Sequence, residues 1–321
     1  MKNEILHQLS LEDRIEKQQR LTGKNINSMN LDYQSSVIPK IPNSNFFLQG
    51  PIHLNKHQRF SETPAHTHSF IELNYVLQGE FHHTLNGEKI TLKANQVLLM
   101  DQGVIQQIDY AGQEDLMINL LLQVNLLRSQ LPNQLVSTNN WIANFFVNAL
   151  EQKNDHQQFL IFDFNHNSIA QELFLLLIKK SLSRPANYQD SYHFLVNALL
   201  VEFMNTTPLY QPEIRPVSPE LLQILSYMND HYTAISLQDL AMTFGYNKNY
   251  LSNLLKSKTG ITFQEMLDQK RLIEAQRLLK ETSLSVNEIA EKLGYKSPPS
   301  LFKLFKNTLN MTPNEYRKFI Q

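Results

Sequence analysis

From Ser218 to Gln321 the apolar positions recur three and four residues apart, the spacing that lays a single stripe along a helix. Leu237, Leu240 and Ala241 form one such stripe; Val286, Ile289 and Ala290 form another. Each predicts a short helix opening on Ser236 or Ser285, whose hydroxyls can accept from the unpaired N–H groups of a helix start. Gly245 and Gly294 then permit the left-handed conformation that ends a helix. A second helix follows each glycine, with Leu251, Leu254 and Leu255, or Leu301, Leu304 and Phe305, facing inward. Ser297 predicts an N-cap for the later of these helices, with Pro298 at its first position. The two segments register at an offset of 49 up to the Gly-Tyr pair and 50 beyond it, so they are an internal repeat whose second turn holds one extra residue. Between them, 263–279 reads as one helix, about 25 Å long at about 1.5 Å per residue.

Ahead of this repeat the period changes. Residues 3–21 carry a helical pattern (Ile5, Leu6, Leu9, Ile15), expected as a helix docked on its own or a partner domain, and Leu21 to Asn30 reads as a connector. From Tyr33 to about Asn125 short apolar runs are punctuated by Pro39, Pro42, Pro51 and Pro64. Ile71, Leu73, Tyr75 and Leu77 alternate with Glu72, Asn74 and Val76. Phe81–Leu85 and Glu88–Leu92 flank Asn86-Gly87, a strong hairpin signal. Val97–Met100 and Met117–Val124 read as further strands, and many short strands with tight turns predict a small barrel or jelly roll. Leu126 to Tyr210 reads as helical, with apolar faces around Phe145, Leu173 and Leu195. Pro208, Pro212, Pro216 and Pro219 predict a semi-rigid linker.

These patterns divide the chain into residues 1–30, a barrel at 31–125, a helical region at 126–205, a linker at 206–219 and a helical C-terminal domain at 220–321. Its two helix-turn-helix units lie at 236–257 and 285–307. The expected class is α+β multidomain, with a β-barrel, central helices and an all-α C-terminal domain.

Composition sharpens this. The 321 residues, 42% apolar and 18% charged, suit a globular chain of two or three domains. Net charge is −1 overall, but from Ser218 onward 13 basic residues face 10 acidic ones. The small basic excess therefore lies beside the repeated helices. With no cysteine there is no disulfide framework and no thiol chemistry. The charged N-terminus lacks a signal-peptide core, and no apolar run is long enough to span a bilayer, so a cytoplasmic protein is expected. No phosphate loop, nucleophile elbow or paired catalytic carboxylates appear, and no enzyme is expected.

The second helix of each repeat leaves polar residues outside: Lys248, Asn249, Ser252, Asn253 and Lys256 in the first, and Ser297, Pro299, Ser300, Lys303 and Lys306 at the start and outer face of the second. Hydrogen-bonding side chains early in a helix suit base edges, and lysines suit flanking phosphates. Two such helices set about one DNA turn apart would read paired major-groove half-sites of double-stranded DNA. These segments resemble the DNA-binding domain of the AraC/XylS transcription regulators. The resemblance covers about a third of the chain. It rests on the Ala-x-x-x-Gly-Tyr core of both units, the endings Leu251-x-x-Leu254-Leu255-Lys256 and Leu301-x-x-Leu304-Phe305-Lys306, Lys258-Thr259-Gly260, and Thr312-Pro313-Asn314-Glu315-Tyr316-Arg317. Asn310 stands where that family most often has glycine, a mild departure because asparagine tolerates the left-handed conformation. Asn253 stands where arginine is frequent.

Within the strand region, His66-x-His68, Glu72 and Gly79 resemble the first motif of the cupin barrels. Two imidazoles and a carboxylate could make a facial metal site. Gln106, however, stands where the second cupin motif would bring a histidine, and Phe60 replaces the glycine ahead of the first. No metal or other cofactor is therefore expected. In AraC-like regulators such a barrel often binds a small effector, a sugar or related metabolite among the candidates. His66, His68, Glu72 and Gln106 then become either effector contacts or hydrogen-bonded rim residues. The resemblance further implies homodimerisation through the helices at 126–205, activation rather than repression, and RNA polymerase as a partner. A barrel serving only as a dimerisation scaffold, or a metal-dependent cupin enzyme with a DNA-binding tail, are the alternatives.

Overall fold

The computed structural model describes residues 1–124, 141–150, 155–183, 185, 188–210, 219–295 and 297–320. The linker prolines 212 and 216 and Lys296 lie outside these residues, as does the whole of the 126–140 stretch. Ten strands and twelve helices are described. The strands are β1 (Lys40–Ile41), β2 (Ile52–Lys56), β3 (Thr63–His68), β4 (Ile71–Gln78), β5 (Glu80–Leu85), β6 (Glu88–Lys93), β7 (Gln96–Met100), β8 (Gln106–Ile108), β9 (Leu116–Leu122) and β10 (Phe159–Asp163). The chain divides into two compact units, the first holding the strands and the second running from Pro216 to Gln321.

In the first unit the strands make two five-stranded sheets, ordered β1-β3-β8-β5-β6 and β10-β7-β4-β9-β2. All pairings are antiparallel except β1 with β3. Two such sheets enclosing one core are a jelly-roll arrangement, in line with the barrel expected. Asn86 and Gly87, at φ 49° and 88°, give the left-handed pair that a tight hairpin between β5 and β6 requires. Phe159–Asp163 falls inside the stretch read as helical but is a strand, β10, paired with β7 across five residues. Its four-residue apolar run, Phe159 to Phe162, has no second turn to reveal a period, and such runs are ambiguous between buried strand and helix.

Along β4 the alternation is turned inside out. Tyr75 stacks at 4.1 Å on Phe174 of α4 (Ser168–Ser183), which covers the sheet's outer surface together with α5 (Tyr188–Met204). Glu72 and Asn74, the polar half of the alternation, are buried on the other face. Among the described residues the remaining helix of the region is α3 (Trp141–Leu150).

The N-terminal pattern gives two helices, α1 (Lys2–Ser10) and α2 (Arg14–Thr22), rather than one. Leu11 is extended, and Asp13 restarts the chain with a capping box to Glu16. Glu16 is fully buried against the barrel, where it accepts from Arg59 Nε at 2.8 Å and Lys56 Nζ at 2.6 Å. Burial alone would raise its carboxyl, but these two cations outweigh burial and hold it below the ordinary glutamate value. The first helices thus dock on the chain's own barrel.

The second unit contains α6 (Pro219–Asp230), α7 (Leu237–Thr243), α8 (Lys248–Thr259), α9 (Phe263–Glu281), α10 (Val286–Lys292), α11 (Pro298–Leu309) and α12 (Pro313–Ile320). Ser236 and Ser285 each close a capping box, with Asp239 and Glu288. Both turns make the same bond, Tyr246 N to Ala241 O and Tyr295 N to Ala290 O. The repeat extends further than the apolar pattern alone reveals. Gly260 and Asn310, 50 residues apart, both end their helices in the left-handed region, at φ 75° and 56°. Thr262 with Glu265 and Thr312 with Glu315 then form matching boxes at the starts of α9 and α12.

One local expectation needs correction. Ser297 occupies the N-cap position of α11, but its side chain caps nothing. Pro298 and Pro299 have no N–H to offer, and the Ser300 N–H is taken by the Ser297 carbonyl oxygen at 3.3 Å. In the first helix-turn-helix Asn247 does cap α8, accepting from Asn249 and Tyr250.

The two turn glycines differ in surroundings. A Cβ at Gly245 meets nothing within 4 Å, whereas one at Gly294 would sit 1.6 Å from the Thr233 carbonyl oxygen. Gly245→Ala is therefore expected to cost only the left-handed penalty of about 1–2 kcal/mol. Gly294→Ala must also displace backbone and is expected to cost more than about 3 kcal/mol. Urea unfolding followed by helical circular dichroism checks the difference.

Candidate functional site

Two places gather the residues singled out above, one in each unit. In the second unit, Lys248, Asn249, Asn253 and Lys256 are exposed and Ser252 half-buried, all on one side of α8, while Leu251 and Leu255 are fully buried behind them. On α11, Pro299, Ser300, Lys303 and Lys306 are exposed opposite buried Leu301 and Phe305, with Ser297 exposed at the helix start. Side chains three and four apart share a helix face, so burying the leucines turns these residues outward. Among the described residues the side chains of Asn249, Ser252, Asn253 and Lys303 have no hydrogen-bond or ion-pair partner, so their donors and acceptors are available. Lys306 reaches back to Asn310 O at 3.3 Å. Tyr250, which the polar pattern passed over, is exposed and stacks on Tyr246 at 5.3 Å beside this face.

In the first unit a cavity of about 150 Å³ lies inside the barrel, closed on one side by the segment from Ile15 to Tyr33. His66, Glu72, Gln106, His57 and Asn119 line it, with Phe70, Ile108 and Leu121 among the apolar walls. His66 on β3 pairs directly across from Gln106 on β8, the position where the second cupin motif would place a histidine. His68 is fully buried beside the cavity rather than in its lining: its ring stacks on Phe70 at 4.8 Å, Nδ1 lies 2.6 Å from Phe70 O, and Nε2 stands 3.4 Å from Glu72. Asn74 ties the floor together, donating to Glu72 and Asn119 and accepting from Gln106 Nε2 at 2.8 Å. Gln106 Nε2 also lies 3.3 Å from His83 Nδ1. Of the two adjacent histidines on β5, His83 points in and His82 out; parity with buried Phe81 and Leu85 carries that signal in the sequence. His57 and Asn119 carry no motif and escape sequence reading.

The donor set does not fit a metal. Gln106 turns its amide nitrogen, a hydrogen-bond donor, into the network at the position where a ligand would be needed. Among the described residues no three histidine, aspartate or glutamate side chains converge as ligands.

Burial sets the protonation of this interior. It pushes His57 down to about 4 and His68 and His83 down to about 3, with neighbouring imidazoles adding repulsion, and it lowers His66 as well. Burial pushes Glu72 up to about 7, against the lowering bond from Asn74. At neutral pH the network is thus a set of uncharged imidazoles around a carboxyl near half-protonation.

The two kinds of group pull stability in opposite directions with pH. The histidines take up protons more readily unfolded, so their contribution is complete above about 6.5 and is lost as pH falls toward about 4. Glu72 holds its proton more tightly when folded, so its contribution is complete below about 4.5 and is lost as pH rises through about 7. Several histidines act against one carboxyl. The unfolding midpoint of the first unit, followed by the fluorescence of its single tryptophan, Trp141, is expected to fall from pH 7 to pH 5. Glu72→Gln is expected to steepen that fall.

A helix-turn-helix domain model matches residues 240–318, and a cupin domain model matches residues 55–122. An uncharacterized HTH-type transcriptional regulator of Bacillus subtilis, YtdP, is 32% identical over 106 residues, 33% of this chain but only 14% of that protein. The HTH-type transcriptional activator RhaS of Escherichia coli O1:K1 is 25% identical over 265 residues, 80% of this chain and 88% of the activator. A solved Listeria innocua protein of unknown function aligns at 33% identity with 32% of this chain and 100% of its own, with a TM-score of 0.31. With both domain matches in this order and similarity to a curated activator along most of its length, the chain carries a cupin domain ahead of a helix-turn-helix domain, the arrangement of the AraC-type transcription regulators it is similar to.

Proposed function

We propose that this regulator is a sequence-specific activator whose affinity for paired DNA half-sites is set by a small uncharged effector held in the barrel cavity. The observation that carries the DNA half of the reading is the exposed polar face on each second helix, presented twice in register. The faces differ in chemistry. Asn249 and Asn253, one turn apart on α8, suit the paired acceptor and donor of adenine, and Lys303 on α11 suits the two acceptors of guanine. The first half-site is accordingly richer in A·T, and the second centres on a G·C pair. Lys248, Lys256 and Lys306 reach the flanking phosphates, with Ser252, Ser297, Pro299 and Ser300 at the contact.

The cavity supports the effector half. It is open on one side, its floor is polar, and Lys56 in its lining is paired with Glu16. Hydroxyl groups of a sugar-sized molecule match His66, Glu72, Gln106 and Asn119, whereas an anion would meet the Glu72 carboxylate. His68 acts behind Glu72 rather than on the ligand. The protein acts in the cytoplasm, without catalysis. Its effector shifts the balance between two states of different DNA affinity, one of them favourable to RNA polymerase. Homodimerisation is supported by exposed Phe194 on α5 and by Ile169, Leu176 and Leu182 on α4, apolar groups that single folded chains tend to cover.

Lys303→Ala is expected to weaken the selected site by about 1–3 kcal/mol and relax preference at one base pair, with an unchanged unfolding midpoint. Fluorescence anisotropy across single-base variants of the duplex measures this. A thermal-shift screen against neutral sugars and polyols, their acids and divalent metals tests the cavity, since a ligand of the native state raises the midpoint. A rise with a neutral polyol that disappears in Gln106→Leu is the expected result.

A further inference from the structure

The two helix-turn-helix units meet where the Gly294-Tyr295 turn of the second faces a loop that carries no motif. The loop from His231 to Ile235, which launches α7 and so the first unit, lies against the turn of the second unit. Gly294 approaches it so closely that a Cβ would sit 1.6 Å from Thr233 O. Tyr232 of the same loop packs on the apolar core formed by α9, α10 and α11. Arg271, midway along α9 and only 8% exposed, occupies the junction. Its guanidinium donates through Nη2 and Nε to Tyr232 O, at 2.8 and 3.2 Å, and through Nη2 to Thr233 O at 3.4 Å. On the other side it lies over the ring of Tyr295, 4.9 Å from the centroid. One cation thus holds the loop of the first unit and the turn of the second together.

We infer that Arg271 is a positioning residue for DNA recognition: it sets the distance and rotation between α8 and α11, and therefore the half-site spacing the regulator accepts. The physical reason lies in the geometry of the tie. A planar guanidinium can hold two successive carbonyls and stack on a ring at the same time, which a single point charge cannot. α9 joins the units along one line only; rotation about that line is stopped by contacts away from it, and the loop-to-turn junction supplies one. Arg317 offers a contrast. It also binds two carbonyls, Leu279 O and Leu284 O, but on α9 and the loop entering α10, so it braces the second unit internally.

Rigid linkage of two binding modules makes the second contact intramolecular only where the spacing matches. Each inserted base pair moves a half-site by about 3.4 Å and about a tenth of a turn. The inference rests on the reading of both helices as DNA contacts, and the experiment separates the two. Full-length protein is used to select duplexes from a random-sequence library. Affinity is then measured for the selected site, for each half-site alone, and for spacers changed by one and two base pairs. Wild type is expected to lose about tenfold on a one-base-pair insertion. Arg271→Met is expected to lose less than about threefold on the same insertion, while binding each half-site within about twofold of wild type. Arg317→Met is expected to lower the unfolding midpoint and leave the spacing profile unchanged. Should Arg271→Met fail to fold by circular dichroism, Arg271→Lys, which keeps the charge and one carbonyl bond, is measured in its place with the same expectation. A sharp wild-type spacing preference in the folded variant overturns the inference and leaves the DNA reading standing. Selection of no bipartite sequence by wild type overturns both.

Discussion

A helix of seven residues forms too few hydrogen bonds to offset its own nucleation, and α7 and α10 each have seven. Everything the second unit presents outward depends on fixing these two. Three contacts do so, in the same way twice. A capping box satisfies the first N–H groups, a left-handed glycine ends the helix, and Ala241 or Ala290, each about 1% exposed, leaves room for the following helix to lie close. The longer helix behind then has no choice of face. Its leucines enter the space the alanine leaves, and asparagine, serine and lysine are forced outward. The outward face of α8 or α11 is thus a consequence of packing on its inner face.

The barrel solves the opposite problem. A polar interior is costly unless its groups satisfy one another, and here the amides of Asn74 and Gln106 do much of that work. A histidine in place of Gln106 would offer one donor and one acceptor at fixed directions; the amide offers two donors and bonds both Asn74 and His83. The substitution that breaks the cupin metal pattern is therefore what holds the polar floor together. The interior holds uncharged imidazoles and the half-protonated carboxyl of Glu72 at neutral pH, which suits neutral, hydroxyl-bearing molecules better than anions.

The second unit was legible almost to the residue, because helical periodicity, caps and glycines are local signals and occur twice. Ser297 failed as a side-chain cap for a local reason too: two prolines after it remove the donors. The barrel was legible as a class and through His66, His68 and Glu72, but its interior was less so. On β4 both sides proved to be buried, the polar one toward the barrel interior and the apolar one under α4; alternation alone cannot say which face meets a helix. His57, Asn74 and Asn119 come together only through strand pairing, and β10 only through its register with β7. The tie through Arg271 was invisible, because it joins residues 38 and 39 positions away on another element and looks in sequence like any helix arginine.

Charge bears on how such a unit can be selective. The C-terminal hundred residues carry a net charge of only +3, and several of their basic groups are engaged within the protein: Lys270 and Arg277 pair with glutamates, and Arg271 and Arg317 bind carbonyl oxygens. Few lysines are left for phosphates, and phosphate contacts supply most sequence-independent affinity. A protein so placed gains little from any single stretch of DNA. It gains most where two weak base-reading helices engage at once, which requires that their separation be held. Low charge and a rigid junction are therefore two sides of one arrangement: the first keeps binding to arbitrary DNA weak, and the second makes the correctly spaced pair of half-sites count.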